Sequence, residues 1–232
     1  MYDILDKVMR RCTHFSMHFN NGILLQAIKT ISNIYPHAYL IQCCHESLYK
    51  FFDSTNSNMR YFGITAMIEI LKVNKECIDR WQYVLLECLE NDDITLAEKT
   101  IELLTIVANE DNTELILSRI IKLTSKSVDE TEKRNLIKKG IYLIEKFSSN
   151  REIFLRRMNE IFYKFEAFIS HTSVNNFLKV LLEITEIEPD FIDMALDTYI
   201  EIVENFRNNV LLRVSGWVIG EFGAKIYERD QD

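Results

Sequence analysis

The fold is decided by a stretch that begins at residue 91: Asn91-Asp92-Asp93-Ile94-Thr95-Leu96-Ala97-Glu98-Lys99-Thr100-Ile101-Glu102-Leu103-Leu104. A polar, turn-forming cluster precedes an amphipathic run. The same order recurs at Asn20-Asn21-Gly22, Asn56-Ser57-Asn58, Ser127-Val128-Asp129, His171-Thr172-Ser173 and Asn208-Asn209, mostly at intervals of 35 to 37 residues with one longer interval. Such a period is typical of repeat proteins, in which each helix pair buries its apolar face against its neighbours. The sequence therefore predicts a stack of antiparallel helix pairs.

The composition restricts the fold class further. Only 6 glycines and 2 prolines occur in 232 residues, which leaves few positions for the tight turns of an all-β protein. We therefore predict an all-α fold, an α-solenoid of the HEAT/armadillo-like kind with about five to six hairpins, and a single segment over residues 1–232.

The apolar periodicity places the helix pairs. We predict pairs at 23–35 with 38–52, 58–73 with 76–90, 129–147 with 151–168, and 174–187 with 191–206, and a third pair in chain order within 95–121. Thr95 with Glu98, and Ser127 with Glu130, have the spacing of capping boxes. A sixth pair begins at Val210, and its first helix is apolar around most of its circumference. We expect a further part of a longer protein, or a partner, to cover that helix.

The charge and the cysteines exclude several classes of protein. A net charge of −8 opposes broad binding to nucleic acid. No stretch approaches the roughly 18 consecutive apolar residues of a membrane span, and the acidic first residues are not a secretory signal. The odd number of cysteines, without CxxC spacing, indicates reduced thiols in the cytosol.

Three motifs resemble chemical sites, and each has a simpler structural interpretation. His14-x-x-x-His18 and Cys43-Cys44-His45 contain metal-ligand residue types, but adjacent cysteines point about 100° apart on a helix, so we favour core packing. Gly216, Gly220 and Gly223 lie within a helical pattern, without the strand or Lys-Ser/Thr of a phosphate loop, and are predicted to permit close helix contact. No catalytic constellation stands out, so we predict no enzyme activity and no cofactor.

One basic cluster is a candidate binding site. Lys133, Arg134, Lys138 and Lys139 share a predicted helix, and Arg151, Arg156 and Arg157 lie on its partner. Most such charges form solvated helix faces. A patch of Lys138, Lys139, Arg156 and Arg157 that binds anionic lipid or phosphate is the functional alternative.

Three sequence blocks resemble a known family. They are residues 88–104, quoted in part above and continuing through Ala108-Asn109-Glu110-Asp111-Asn112; residues 212–223, with Trp217-Val218-Ile219-Gly220-Glu221-Phe222-Gly223; and residues 58–67, Asn58-Met59-Arg60-Tyr61-Phe62-Gly63-Ile64-Thr65-Ala66-Met67. In order and spacing they resemble the adaptins, the large subunits of heterotetrameric vesicle-coat adaptor complexes. The γ and ε types are nearest, and the ε subunit of the fourth adaptor complex is favoured.

The resemblance implies a scaffold in coat assembly and cargo sorting at trans-Golgi or endosomal membranes. The chain would be the middle-to-late part of a longer trunk. Its partners would be the β-type large, medium and small subunits, with an Arf-type GTPase bound through upstream regions. The alternatives are another HEAT-repeat protein-binding scaffold or transport receptor, and a membrane-surface binder that uses the basic patch.

Overall fold

Each predicted repeat begins with a capped helix in the computed structural model of the chain, which describes residues 1–13, 20–34, 36–74, 81–91, 93–148 and 150–229. Every regular element in these ranges is helical. The helices that open a pair begin at Asn21, Ser57, Ile94, Glu130, His171 and Asn209, at intervals of 36 to 41 residues. The predicted period and the all-α fold class are therefore confirmed.

The contacts divide the chain into two compact units, which we describe separately. The first unit, Met1–Val107, contains α1 (Tyr2–Thr13), α2 (Asn21–Ile34), α3 (Ala38–Ser47), α4 (Tyr49–Phe52), α5 (Ser57–Leu71), α6 (Gln82–Glu90) and α7 (Ile94–Ile106). Within this unit α2 packs on α1, α3 and α5, and α5 packs on α7. The buried side chains of these helices form one apolar core from Leu5 to Leu103.

The second unit, Ala108–Asp232, contains α8 (Glu110–Lys126), α9 (Glu130–Phe147), α10 (Arg151–Lys164), a short 3-10 helix (Glu166–Phe168), α11 (His171–Ile187), α12 (Phe191–Asn205) and α13 (Asn209–Arg229). In its core, the ring of Phe177 lies 5.6 Å from that of Phe154 and 5.3 Å from that of Phe162, between centroids. The predicted helix at 151–168 is interrupted, because α10 ends at Lys164 and only a 3-10 turn follows.

The sequence predicted capping boxes at Thr95 with Glu98 and at Ser127 with Glu130, and both predictions were wrong. Asp93 caps α7 by accepting from the backbone N–H groups of Thr95 and Leu96, and Asp129 caps α9 in the same way. Each aspartate stands immediately before the first residue of its helix and accepts from the first free backbone N–H groups, so it is the cap. Thr95 lies inside α7, and Ser127 lies two residues before the α9 cap. A true capping box joins Asn109 and Asn112 at the start of α8.

Polar side chains connect helices that are one repeat apart. In the first unit, hydrogen bonds join Asn21 to Met59, Asn33 to Glu69, Lys50 to the Cys12 carbonyl, and Trp81 to His45, all pairs separated by 36 or 38 residues. In the second unit, pairs separated by 37 to 43 residues are Arg151 with Glu188, Arg213 with Asn175, Tyr199 with Asn159, Asn208 with Glu166, and Arg157 with Glu114. Contacts at a constant sequence offset are the signature of stacked repeats, in which each unit touches its nearest neighbours.

Candidate anion-binding and protein-interaction surfaces

The four residues of the predicted basic patch lie on two neighbouring helices, as expected. Lys138 and Lys139 are on α9, and Arg156 and Arg157 are on α10, which packs on α9. Lys138 and Arg156 are exposed, and Lys139 is partly exposed. Arg157 is different because its side chain is only 19% exposed and is already paired with acidic groups.

The Arg157 guanidinium contacts the carboxylate of Glu114 on α8, and its second amino group lies 2.6 Å from Glu160. Lys164 reaches the other oxygen of Glu160 at 2.6 Å. Burial alone would raise the pKa of Glu160, but the hydrogen bonds from Lys164 and Arg157 outweigh burial and hold that pKa below its ordinary value. Arg157 therefore ties α10 to α8. Binding of lipid or phosphate by the four residues stays a prediction.

A second group of cations on α9 is organised by aromatic rings. The Lys133 ammonium lies 5.2 Å from the centroid of Phe168, and the Arg134 guanidinium lies 5.5 Å from it. At the other end of α9, the Lys146 ammonium lies 5.1 Å from the centroid of Phe147 and donates to the Tyr142 hydroxyl at 2.9 Å. At distances of this size, a cation is attracted to the face of an aromatic ring, and this attraction holds the charged side chain in place. Sequence reasoning missed Phe168 because it lies more than 30 residues from the cations that it contacts.

The first helix of the sixth pair is covered on one side. Leu211, Val214, Val218 and Phe222 of α13 are buried, and α13 packs on α10, α11 and α12. Trp217 is partly exposed, with its ring 5.8 Å from that of Phe222. The chain thus covers one face of this apolar helix, and the cover expected for the other face stays a prediction.

The glycines of α13 do not mediate close helix contact, and that expectation was wrong. A Cβ atom added at Gly216 or Gly220 meets no atom within 4 Å, because both residues face away from α10, α11 and α12. Close approach occurs instead at Gly63 of α5. A Cβ atom there would lie 2.9 Å from Phe51 Cβ and 2.8 Å from Phe52 Cε1.

The metal-ligand motifs have structural roles where the structure describes them. Burial raises the pKa of the Cys44 thiol to about 12, as expected of a core residue. His45 Nε2 accepts a hydrogen bond from Trp81 Nε1 at 3.3 Å. His14 and His18 lie outside the described residues. Among the residues that are described, no three His, Cys, Asp or Glu side chains come together as a metal site.

Several large side chains of the first unit are exposed. Tyr39 on α3, Tyr49 on α4, and Tyr83 and Leu86 on α6 are exposed, Tyr83 to 75%. The Tyr49 ring lies 4.6 Å from that of buried Trp81, which precedes α6 directly, so α4 contacts the start of α6. Tyrosine is enriched at protein interfaces.

Within the described ranges, no helix is long and apolar enough to cross a bilayer.

Helix pairs that repeat every 36 to 41 residues and, within each unit, are tied to the next pair define an α-solenoid repeat protein. The sequence model of the adaptin N-terminal region family matches residues 2–231, and the chain belongs to this family.

Among curated proteins, the chain is 26% identical to the AP-4 complex subunit epsilon of Arabidopsis thaliana over 95% of its length, and 28% identical to the AP-4 complex subunit epsilon-1 of Homo sapiens over 96% of its length. It covers 24% and 20% of these two proteins, about a fifth to a quarter of their length. Both are epsilon subunits, which confirms the resemblance favoured from the sequence.

The fold is also similar to that of a chain in a homology model of the full-length AP-3 complex in an intermediate open conformation. The TM-score is 0.71 at 17% sequence identity, with 97% of this chain and 44% of the other covered. At this identity, the likeness supports the α-solenoid fold.

Proposed function

We propose that the chain is a non-enzymatic scaffold segment of an adaptor-complex large subunit in vesicle-mediated protein transport, acting in coat assembly and cargo sorting. The observation that carries this proposal is the family match over residues 2–231. The relatives named above, which are subunits of the AP-4 complex, support it. The repeat stack adds physical support because its outward helix faces present many side chains to a partner.

The proposal includes the position of the segment and its partners. Residues 1–232 would form one segment in the middle-to-late trunk of a longer subunit, consistent with the small share of the relatives' length that the chain covers. Its partners would be β-type large, medium and small subunits, with an Arf-type GTPase bound through regions outside this segment and with no nucleic acid. The complex would associate peripherally with trans-Golgi or endosomal membranes from the cytoplasmic side.

We propose that the exposed side chains of α3, α4 and α6 in the first unit form the contact with another subunit. Tyr39, Tyr49, Tyr83 and Leu86 lie on second helices of successive pairs, and all four are exposed. Large aromatic side chains dominate the binding energy of protein interfaces when a partner buries them. A subunit that covers this surface would remove these rings from water.

Co-expression of the chain with candidate β-type, medium and small subunits tests the function. We expect at least one subunit to co-purify in a stable ratio through affinity and size-exclusion steps. The function is contradicted if no subunit binds under conditions in which a full-length epsilon subunit assembles, and that result would favour another HEAT-repeat scaffold.

A variant pair tests the contact surface separately. Tyr83→Ser with Leu86→Ser should weaken co-purification. Val128→Ser with Ile187→Ser removes two exposed apolar side chains of the second unit, one before α9 and one at the end of α11, and should leave co-purification unchanged. If both double variants retain the partner equally, the surface is misassigned and the scaffold function stands.

A further inference from the structure

Helix α9 carries a concentrated positive charge in an acidic chain. Lys133, Arg134, Lys138 and Lys139, which we call the basic row, lie within seven residues of a protein whose net charge is −8. Arg134 and Lys138 are exposed, and Lys133 and Lys139 are partly exposed. The neighbouring acids offset the row only in part. Glu130 lies 3.8 Å from Arg134, and Glu132 accepts a hydrogen bond from Ser127 Oγ.

Part of the row is held in place by an aromatic ring. Lys133 and Arg134 both lie over Phe168, at 5.2 and 5.5 Å from its centroid. A cation positioned in this way loses less side-chain entropy when it binds an anion, because part of its freedom is already restricted. The row is therefore better prepared for a ligand than four unsupported surface lysines would be.

Phe168 also lines an open depression of about 560 Å³ together with Tyr163, Lys164 and Asn209. The acidic group in this depression, Glu166, is already engaged. Its carboxylate accepts hydrogen bonds from Asn208 Nδ2 at 3.0 Å and from the Asn209 backbone and side chain at 2.8 Å. Lys133 and Arg134 of the basic row thus contact the aromatic wall of a concave surface.

We propose that the basic row and this depression bind an extended acidic segment of another polypeptide. Arg134 and Lys138 are one helical turn apart, a rise of about 6 Å. Alternate residues of an extended chain are about 6.7 Å apart, so carboxylates at every second position match that spacing. The depression beside Phe168 accommodates an apolar side chain of the same segment. A concave site favours a peptide over a bilayer, whose surface is flat.

Fluorescence anisotropy of the 232-residue chain tests this proposal with a labelled eight-residue peptide in which glutamate alternates with serine and the last residue is leucine. The comparison peptide has glutamine at each glutamate position. We expect binding of the acidic peptide at 50 mM NaCl, weaker binding at 200 mM NaCl because salt screens exposed charges, and at least tenfold weaker binding of the glutamine peptide.

Two charge-matched variants localise the binding. Lys133→Gln with Arg134→Gln, Lys138→Gln and Lys139→Gln should weaken binding by roughly tenfold or more, since the four cations that could pair with the peptide carboxylates are removed. Lys122→Gln with Lys126→Gln, Lys179→Gln and Arg207→Gln removes the same charge from exposed positions elsewhere in the second unit and should change binding less than twofold. Phe168→Leu keeps every charge and should weaken binding by about threefold. Circular dichroism confirms that each variant is folded.

The proposal is overturned if both four-residue variants weaken binding equally, because the net charge alone would then explain it. It is also overturned if the acidic peptide fails to bind at 50 mM NaCl. Vesicles of phosphatidylcholine with phosphatidylserine provide the remaining comparison. Row-dependent binding to these vesicles without binding of the peptide would assign the row to a membrane surface.

Discussion

Replacing Gly63 with alanine adds a methyl group to α5 where neighbouring side chains already occupy the space. The new Cβ atom would lie 2.8 Å from Phe52 Cε1 and 2.9 Å from Phe51 Cβ. The Phe52 ring could rotate slightly, but Phe51 Cβ is attached to the backbone of α4 and cannot move without it. Both phenylalanines are buried in the core of the first unit. The added methyl group therefore overpacks this core.

The expected change in the free energy of unfolding follows from two opposing effects. Overpacking a core typically costs about 1–3 kcal/mol, and replacing glycine with alanine in a helix returns about 1 kcal/mol. Because one of the two close contacts is fixed to the backbone, we expect the free energy of unfolding of the first unit to fall by about 1–2 kcal/mol. Gly216→Ala is the matched control. Its Cβ meets no atom within 4 Å, so the helix preference should stabilise the second unit by about 0.5–1 kcal/mol.

The two tryptophans allow these effects to be measured separately, because Trp81 lies in the first unit and Trp217 in the second. In a Trp217→Phe background, Trp81 alone reports on the first unit. There, Gly63→Ala should lower the urea midpoint, followed by fluorescence, by about 0.5–1 M. In a Trp81→Phe background, Trp217 alone reports on the second unit, and Gly216→Ala should raise the urea midpoint by about 0.3–0.5 M. The packing argument is refuted if Gly63→Ala leaves the midpoint unchanged or raises it.

Three further predictions concern caps, buried hydrogen bonds and pH. Asp93→Ala should destabilise the first unit by about 1 kcal/mol because it removes the α7 cap, while Thr95→Ala, inside the helix, should cost less than about 0.5 kcal/mol; urea midpoints that are equal for both would contradict this assignment. Tyr199 is fully buried, and burial raises its pKa despite the hydrogen bond to Asn159 at 3.0 Å; Tyr199→Phe should cost about 0.5–1.5 kcal/mol in urea unfolding, and a stabilised variant would show that this bond contributes nothing. The lowered pKa of Glu160 means that its contribution to stability is present above the ordinary glutamate pKa of about 4.3 and is lost as the pH falls through the lower folded-state value. The difference in melting temperature between the wild type and Glu160→Gln should therefore be largest above about pH 5 and shrink toward pH 3, and a constant difference would count against the ion pairs.

Local signals in the sequence were sufficient for the repeat period and for most helix boundaries. Pro36 and Pro189 separate the helices of two pairs, and a polar cluster lies at or just before the start of each opening helix, so short-range patterns contain this information. The caps were harder to place, because Asp93 and Thr95 are both good cap residues and only the position of the first helical turn distinguishes them.

Contacts across one repeat could not be predicted from local patterns. Arg157 had the appearance of a surface cation, but its partner Glu114 lies 43 residues earlier in the chain. Gly216 and Gly220 had the spacing of a helix-contact motif, yet the face that α13 turns toward its neighbours is formed by Leu211, Val214, Val218 and Phe222. Which residue of one repeat meets which residue of the next depends on tertiary packing, and that information was absent from single helices.

The central claim is that successive helix pairs are fixed to one another at an offset of about one repeat, and the pair Asn208 and Glu166 tests it most directly. Asn208 is buried, caps the start of α13 through the Leu211 N–H, and donates to Glu166, 42 residues earlier. A double-mutant cycle of Asn208→Ala and Glu166→Ala, measured by urea unfolding of the second unit, should give a coupling free energy of about 1–2 kcal/mol. Effects that add to within about 0.5 kcal/mol would show that the two repeats do not meet at this position, and would contradict the stacking described above.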